Sequence, residues 1–437
     1  MYAMYSAASP KSSTSWATIV RPELLFLIGG VFGISSYVKW FLFGKNLDYS
    51  YSITGIPAVY WVVGYLSFFV GSMKWLPIRV RRVQRPLIGS VDRWRTNGLL
   101  VVLLVGLAIQ IYLIFSLYGG IPLLLFFSGD LDVESVNQAQ LSSGFGQIGF
   151  LFVTLILLQG MLLIEIIRAN AAGVPRPIRI LSLVFFIFLL HLSAGKRQGI
   201  FIATAFIVCG LSLSIGNPFA AFLRAIGLQV TRFRVIGFFV AIIAILFAAF
   251  EITGSIRTGS ESEHQGLELF TYVELPLINL EAQSEQMGLT PNRLDISAIF
   301  VTLLPAKIRD EVMRGIRLPT LPEPTAPTGF FGSVQWFGGL TFAALFALLA
   351  GLICKWLYVK SRDSLAALLC YSQISWALLS AHTYNHFLNL VFVPLPMGAF
   401  LVVAWLVTRH RLNRLGSNPE QSRLSASIEA KKPVGRE

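Results

Sequence analysis

Long apolar runs separated by short polar connectors dominate this chain, near residues 24–43, 53–73, 98–118, 146–167, 178–194, 199–215, 235–252, 334–356, 364–381 and 387–408. At a rise of about 1.5 Å per residue, such runs match a hydrocarbon core roughly 30 Å thick. The pattern predicts an all-α fold, a polytopic transmembrane helix bundle of about ten spans. Where connectors are shortest, broken or re-entrant helices are alternatives to full spans. No period of some 20 to 50 residues recurs and the two halves look unlike, which argues against an inverted-repeat transporter.

Composition points the same way. Of the 437 residues, 55% are hydrophobic and 13% charged, which does not describe a water-soluble surface. The formal charge of +13 sits in short clusters between apolar runs, so it reads as membrane topology and excludes a nucleic-acid face. With the N-terminus inside, most of the Lys and Arg fall in cytoplasmic segments, including Lys74–Arg95, Arg224, Arg232, Arg234 and the tail after 409. Asp130, Asp132 and Glu134 fall outside, and both termini are expected to be cytoplasmic. The first apolar run lacks a small-residue cleavage site, so the first span is expected to stay in place. Cys209, Cys354 and Cys370 lie in or at the end of apolar runs with no metal or disulfide spacing, and read as small packing residues.

The expected organisation is spans one to seven in 1–252, an extracytoplasmic loop over 253–333, three spans in 334–408 and a basic, disordered cytoplasmic tail over 409–437. The loop is too long for a connector and too apolar for disorder. Leu267, Phe270, Leu275, Leu277, Ile278 and Leu280, then Ile296, Ile299, Phe300, Leu303 and Leu304, predict two short amphipathic helices folded against the membrane. Asn292 is placed to cap the second, and four prolines from Pro319 to Pro327 stiffen the return at Gly329.

The candidate chemistry is extracytoplasmic. Lys196-Arg197 lies in the connector Ser193–Gly199, which alternation places on the side where cations are disfavoured. Flanked by glycines, the pair reads as a phosphate clamp, with lipid headgroup contact as the plain alternative. Arg257 is a second candidate cation, against interfacial snorkelling. In the loop, Arg293 beside a turn, and Arg314 with Arg317 three residues apart, are selected from cations that are mostly solvated. Among five histidines, His382 and His386 flank Thr383-Tyr384-Asn385 in the outward connector between the last two expected spans. An imidazole there suits proton transfer from a sugar hydroxyl, against a role in interfacial packing, and Tyr384 and Asn385 suit sugar binding. A third zinc ligand is missing nearby, so no metal and no cofactor is expected. No P-loop, HExxH or GxSxG pattern occurs.

This layout resembles the bacterial O-antigen polymerase (Wzy), or oligosaccharide repeat unit polymerase, family. The resemblance rests on many spans, a large late loop, the Ser-Ala-Gly-Lys-Arg-Gln-Gly connector at 193–199, Phe270–Pro276 with Tyr272 as a sugar-binding candidate, and Trp336-Phe337-Gly338-Gly339 within 332–351. It implies a metal-independent glycosyltransferase of the bacterial inner membrane that joins undecaprenyl-pyrophosphate-linked repeat units at the outer face. Its partners would be that lipid-linked oligosaccharide, membrane lipid, a chain-length regulator and a flippase. An O-antigen ligase, and a transporter of lipid-linked glycans, share the architecture.

Overall fold

The computed structural model describes residues 13–43, 55–73, 197–258, 268–287, 329–361, 364–383, 385–388, 393–398 and 400–401, with scattered positions within 104–129 and 160–185. Among the described residues every regular element is helical. In order these are α1 (Ser13–Ile19), α2 (Pro22–Phe43), α3 (Ile56–Ser72), α4 (Pro122–Ser128), α5 (Arg197–Ser214), α6 (Pro218–Ala225), α7 (Arg232–Thr258), α8 (Glu268–Met287), α9 (Gly329–Lys360) and α10 (Leu365–Leu379). A 3-10 turn follows at His386–Leu388.

The helix starts follow local chemistry. Pro22 opens α2 with Glu23 in its first turn, where an anion meets the positive end of the helix dipole. Asn217 caps α6 by accepting from the Ala220 N–H at 3.0 Å, ahead of Pro218. Ser364 does the same for α10 through the Ala367 N–H. Gly216, at φ 102°, turns the chain between α5 and α6, whose axes differ by 93°.

Arg232–Ala249 of α7 and Gly338–Lys360 of α9 are each long and apolar enough to cross a membrane, and the bent α5–α6 pair makes a third candidate. Along α7, Phe239, Val240, Ile243 and Phe247 are all exposed. An apolar helix uncovered on most of its surface is stable only in an apolar solvent, so the chain is a membrane protein.

The centre is built by α2, α3, α9 and α10. Phe26 of α2 is its hub, with ring centroids 4.3 Å from Phe68, 5.2 Å from Phe330 and 5.9 Å from Trp61. Glycines set the closest approaches: Gly71 of α3 lies on the Leu348 carbonyl and Gly351 of α9 on the Phe68 carbonyl, so a side chain at either would meet backbone. All three cysteines are free and buried, which agrees with their reading as packing residues.

Helix α9 is two helices joined at Gly339, whose φ of 62° and ψ of −160° are not helical. Phe330 and Phe346 have ring centroids 5.4 Å apart. Sixteen residues of straight helix would separate them by roughly 24 Å, so the limbs on either side of Gly339 fold back as a hairpin. The first limb rises along α3 from Phe331, against Gly64 and Trp61, to Gln335, opposite Tyr60. The second returns past Phe68 to Lys355, which reaches Glu23 at the start of α2.

The expected helix borders shift in two places. Helix α7 runs on to Thr258, because apart from Gly254 nothing in 253–258 breaks it, and α9 begins at Gly329, inside the expected loop. Helix α8 covers the first predicted amphipathic helix, but residues 276–284 are buried on every side, polar positions included. Neighbouring elements supply hydrogen-bond partners for that polar side, and this makes its burial tolerable. The second predicted helix, the Asn292 cap, the loop prolines and the 409–437 tail lie outside the described residues.

Candidate functional site

A buried polar seam runs between α8, the first limb of α9 and the start of α3. Glu281 Oε1 accepts from the Gly55 N–H at 3.3 Å, so a carboxylate from α8 caps α3 at a glycine whose φ is 70°. Gln283 Nε2 donates to the Gly332 carbonyl at 2.6 Å and to Gln335 Oε1 at 3.3 Å. Gln335 Nε2 donates to Ser284 Oγ at 3.0 Å, while the Ser284 hydroxyl also reaches the Leu280 carbonyl. Glu281, Gln283, Ser284 and Gln335 are all buried, and Tyr60 faces Gln335 from α3.

The first limb begins deep in this bundle, and its start is held by the turn that ends α10. The Phe330 N–H donates to the Ala381 carbonyl at 2.7 Å, and Asn385 Nδ2 donates to the Phe330 carbonyl at 3.0 Å. Asn385 is 9% exposed, and its Oδ1 is buried without a hydrogen-bond partner. The Thr383 hydroxyl closes the turn on the Ser380 carbonyl at 3.0 Å. His382 has both ring nitrogens shut off from solvent and packs against the Gly29 backbone of α2. The turn that ends α10 therefore meets the first described residues of α9 inside the core.

Of the residues selected from sequence, His382 and Asn385 thus share one buried turn. His386 opens the 3-10 turn beside them, Arg197 heads α5, Arg257 lies in the last turn of α7 and Tyr272 in the first half of α8; these four are placed by backbone alone. Lys196, Arg293, Arg314, Arg317 and Tyr384 lie outside the described residues. The seam residues Glu281, Gln283, Ser284 and Gln335 escaped a reading that followed the apolar positions of the loop. Their signal was present: Asn279, Glu281, Gln283 and Ser284 crowd one helical stretch just after Pro276, too polar for lipid and too apolar around them for a solvated loop.

The amides and hydroxyls of the seam satisfy one another, and Asn385 Oδ1 at the α10 turn is a buried acceptor without a hydrogen-bond partner. Among the described residues no group of three or more His, Cys, Asp or Glu side chains comes together. No family model, no curated protein and no solved structure matches this chain.

Proposed function

We propose that the chain is a multi-pass inner-membrane glycosyltransferase that polymerises undecaprenyl-pyrophosphate-linked oligosaccharide repeat units at the outer face of the membrane. About ten spans place both termini in the cytoplasm. The α9 hairpin is then re-entrant, and α8 is the part of the 253–333 loop inserted among the spans. The observation that carries the reading is the meeting of the Ser380–Leu388 break with the first residues of α9, through Phe330–Ala381 and Asn385–Phe330. Non-helical backbone within an apolar bundle is stable where protein encloses it or where it lines a polar cavity, and substrate sites of membrane proteins are built from such breaks.

In the reaction, the acceptor hydroxyl oxygen attacks the anomeric carbon of the donor glycan. The bond from that carbon to the pyrophosphate oxygen breaks, and the leaving undecaprenyl pyrophosphate takes the electron pair. Outward cations, with Arg197 and Arg257 first and Lys196, Arg293, Arg314 and Arg317 as further candidates, neutralise that growing charge. His382 or His386 receives the hydroxyl proton. Asn385, Tyr384 and Tyr272 hydrogen-bond sugar hydroxyls.

A transporter of the same lipid-linked glycan is the second reading, supported by the broken α5–α6 pair and the Gly339 hairpin, since discontinuous helices also build carrier sites. An O-antigen ligase would share the chemistry with a different acceptor. Reconstitution in vesicles with undecaprenyl-pyrophosphate-linked oligosaccharide separates the three. A ladder of longer lipid-linked products supports polymerisation, transfer only to a lipid A core supports ligation, and translocation without new bonds replaces both with transport.

A further inference from the structure

The connection from α6 to α7 carries a rim that the candidate site does not use. Arg224, Arg232 and Arg234 are all exposed there, and between them stand Leu228, Val230 and Phe233, exposed by 47%, 38% and 89%. No Asp or Glu occurs anywhere in 215–235. Arg234 Nη1 donates to the Gln229 carbonyl at 3.2 Å, which holds the connection in shape, and its remaining donors stay exposed.

The elements around this rim fix how it is presented. Helix α6 is anchored from both sides: Phe219 meets Trp16 of α1 edge to face at 5.3 Å, and Phe222 stacks on Phe238 of α7 at 4.8 Å. Its 93° bend lays it across the direction of α5. Where α5 crosses a bilayer, α6 lies along the surface, with α7 entering the bilayer at Phe233. Arg21 is exposed between α1 and α2, on the α1 side that Trp16 ties to α6, and adds a fourth cation. The neighbouring acid Glu23 is already paired with Lys355 at 2.6 Å.

We infer that this rim is a docking surface for the headgroups of anionic phospholipid. Interleaved cations and large apolar side chains suit the boundary between headgroups and acyl chains, because guanidinium groups reach phosphates while the apolar chains enter the hydrocarbon. An apolar solvent alone would take Phe233 but not the arginines beside it, and water alone would take the arginines but not Phe233. Anionic lipid accepts both. The inference rests on the membrane character of the chain and is independent of the polymerase reading.

The test uses the full-length protein in neutral detergent, with thermal unfolding followed against added phosphatidylglycerol, phosphatidylcholine or inorganic phosphate. Phosphatidylglycerol should raise the midpoint at concentrations where phosphatidylcholine and inorganic phosphate leave it unchanged. In the triple variant R224Q/R232Q/R234Q the lipid-dependent shift should vanish when read against that variant's own midpoint in phosphatidylcholine, which loss of the Arg234–Gln229 bond is free to lower. Each single Arg→Gln change should weaken the half-saturating phosphatidylglycerol concentration on the order of fivefold, and Arg→Lys should restore most of it. If the triple variant unfolds, the single variants carry the test. An unaltered phosphatidylglycerol response in the variants, an equal response to phosphatidylcholine, or an equal response to inorganic phosphate would each overturn the inference.

Discussion

Glu23, in the first turn of α2, and Lys355, near the end of α9, form an ion pair with 2.6 Å between Oε1 and Nζ, their side chains only 14% and 18% exposed. The pair joins positions 332 residues apart in sequence and closes the end of the bundle opposite the polar seam. Lys355→Met should destabilise the protein by about 3 kcal/mol, because it strands a largely buried carboxylate. The double change with Glu23→Gln should recover much of that loss. Thermal unfolding of the four proteins in one detergent, read as a double-mutant cycle, checks it; a double-variant loss equal to the sum of the two single losses would mean that the ion pair couples nothing.

The Gln283–Gln335–Ser284 seam makes a second prediction. Gln335→Leu removes one buried partner each from Gln283 and Ser284 and should cost about 1–3 kcal/mol. Gln283→Leu removes the donor to the Gly332 carbonyl and should cost a similar amount. The two share one network, so the double variant should lose less than the two single losses added together. Strict additivity in unfolding measurements would show that the seam is not one unit.

Two glycines with opposite surroundings make a third. Gly351→Ala places a methyl group on the Phe68 carbonyl of α3, which is backbone and cannot turn aside, so about 1–3 kcal/mol of stability should be lost. Gly237 lies in exposed α7 with open space where its Cβ would be, and Gly237→Ala should be neutral or stabilise by up to about 1 kcal/mol through helix propensity. Opposite signs for the two in the same unfolding assay are expected, and a destabilising Gly237→Ala would remove α7 from its lipid-facing position.

For the proposed reaction, Arg197→Ala should abolish chain elongation in cells while leaving the protein expressed and inserted, since a cation at the pyrophosphate acts mainly in the transition state. Polymer length on gels, compared at equal protein level, is the measurement. Wild-type lengths would remove the phosphate clamp from the mechanism without touching the fold.

Much of the architecture could be read in the chain. The runs at 24–43, 53–73, 199–215, 235–252, 334–356 and 364–381 are all represented by helices, because apolar length and Pro, Asn or Ser starts are local properties. His382 and Asn385 could be singled out because polar residues in a short connector between apolar runs stand apart. The polar positions after Pro276 also stand apart, but their pairing could not be read, because whether Gln283 and Gln335 face solvent or each other depends on which helix lies across from them.

Sequence by itself determined that this chain is helical and built for an apolar solvent, since backbone hydrogen bonding and side-chain transfer are decided residue by residue. Tertiary structure alone decided that 329–338 turns back at Gly339 as a separate limb, that residues 276–284 of α8 are buried on every side, and that the break after α10 grips Phe330. The residues Gly329–Gly338 run on into the apolar stretch Gly338–Lys360 without a Pro or a charge between them, so the sequence carries no sign of their direction. Direction is fixed by one glycine's dihedral angles and by the contacts of Phe330 with Phe26 and Phe346, which exist only once distant segments have met.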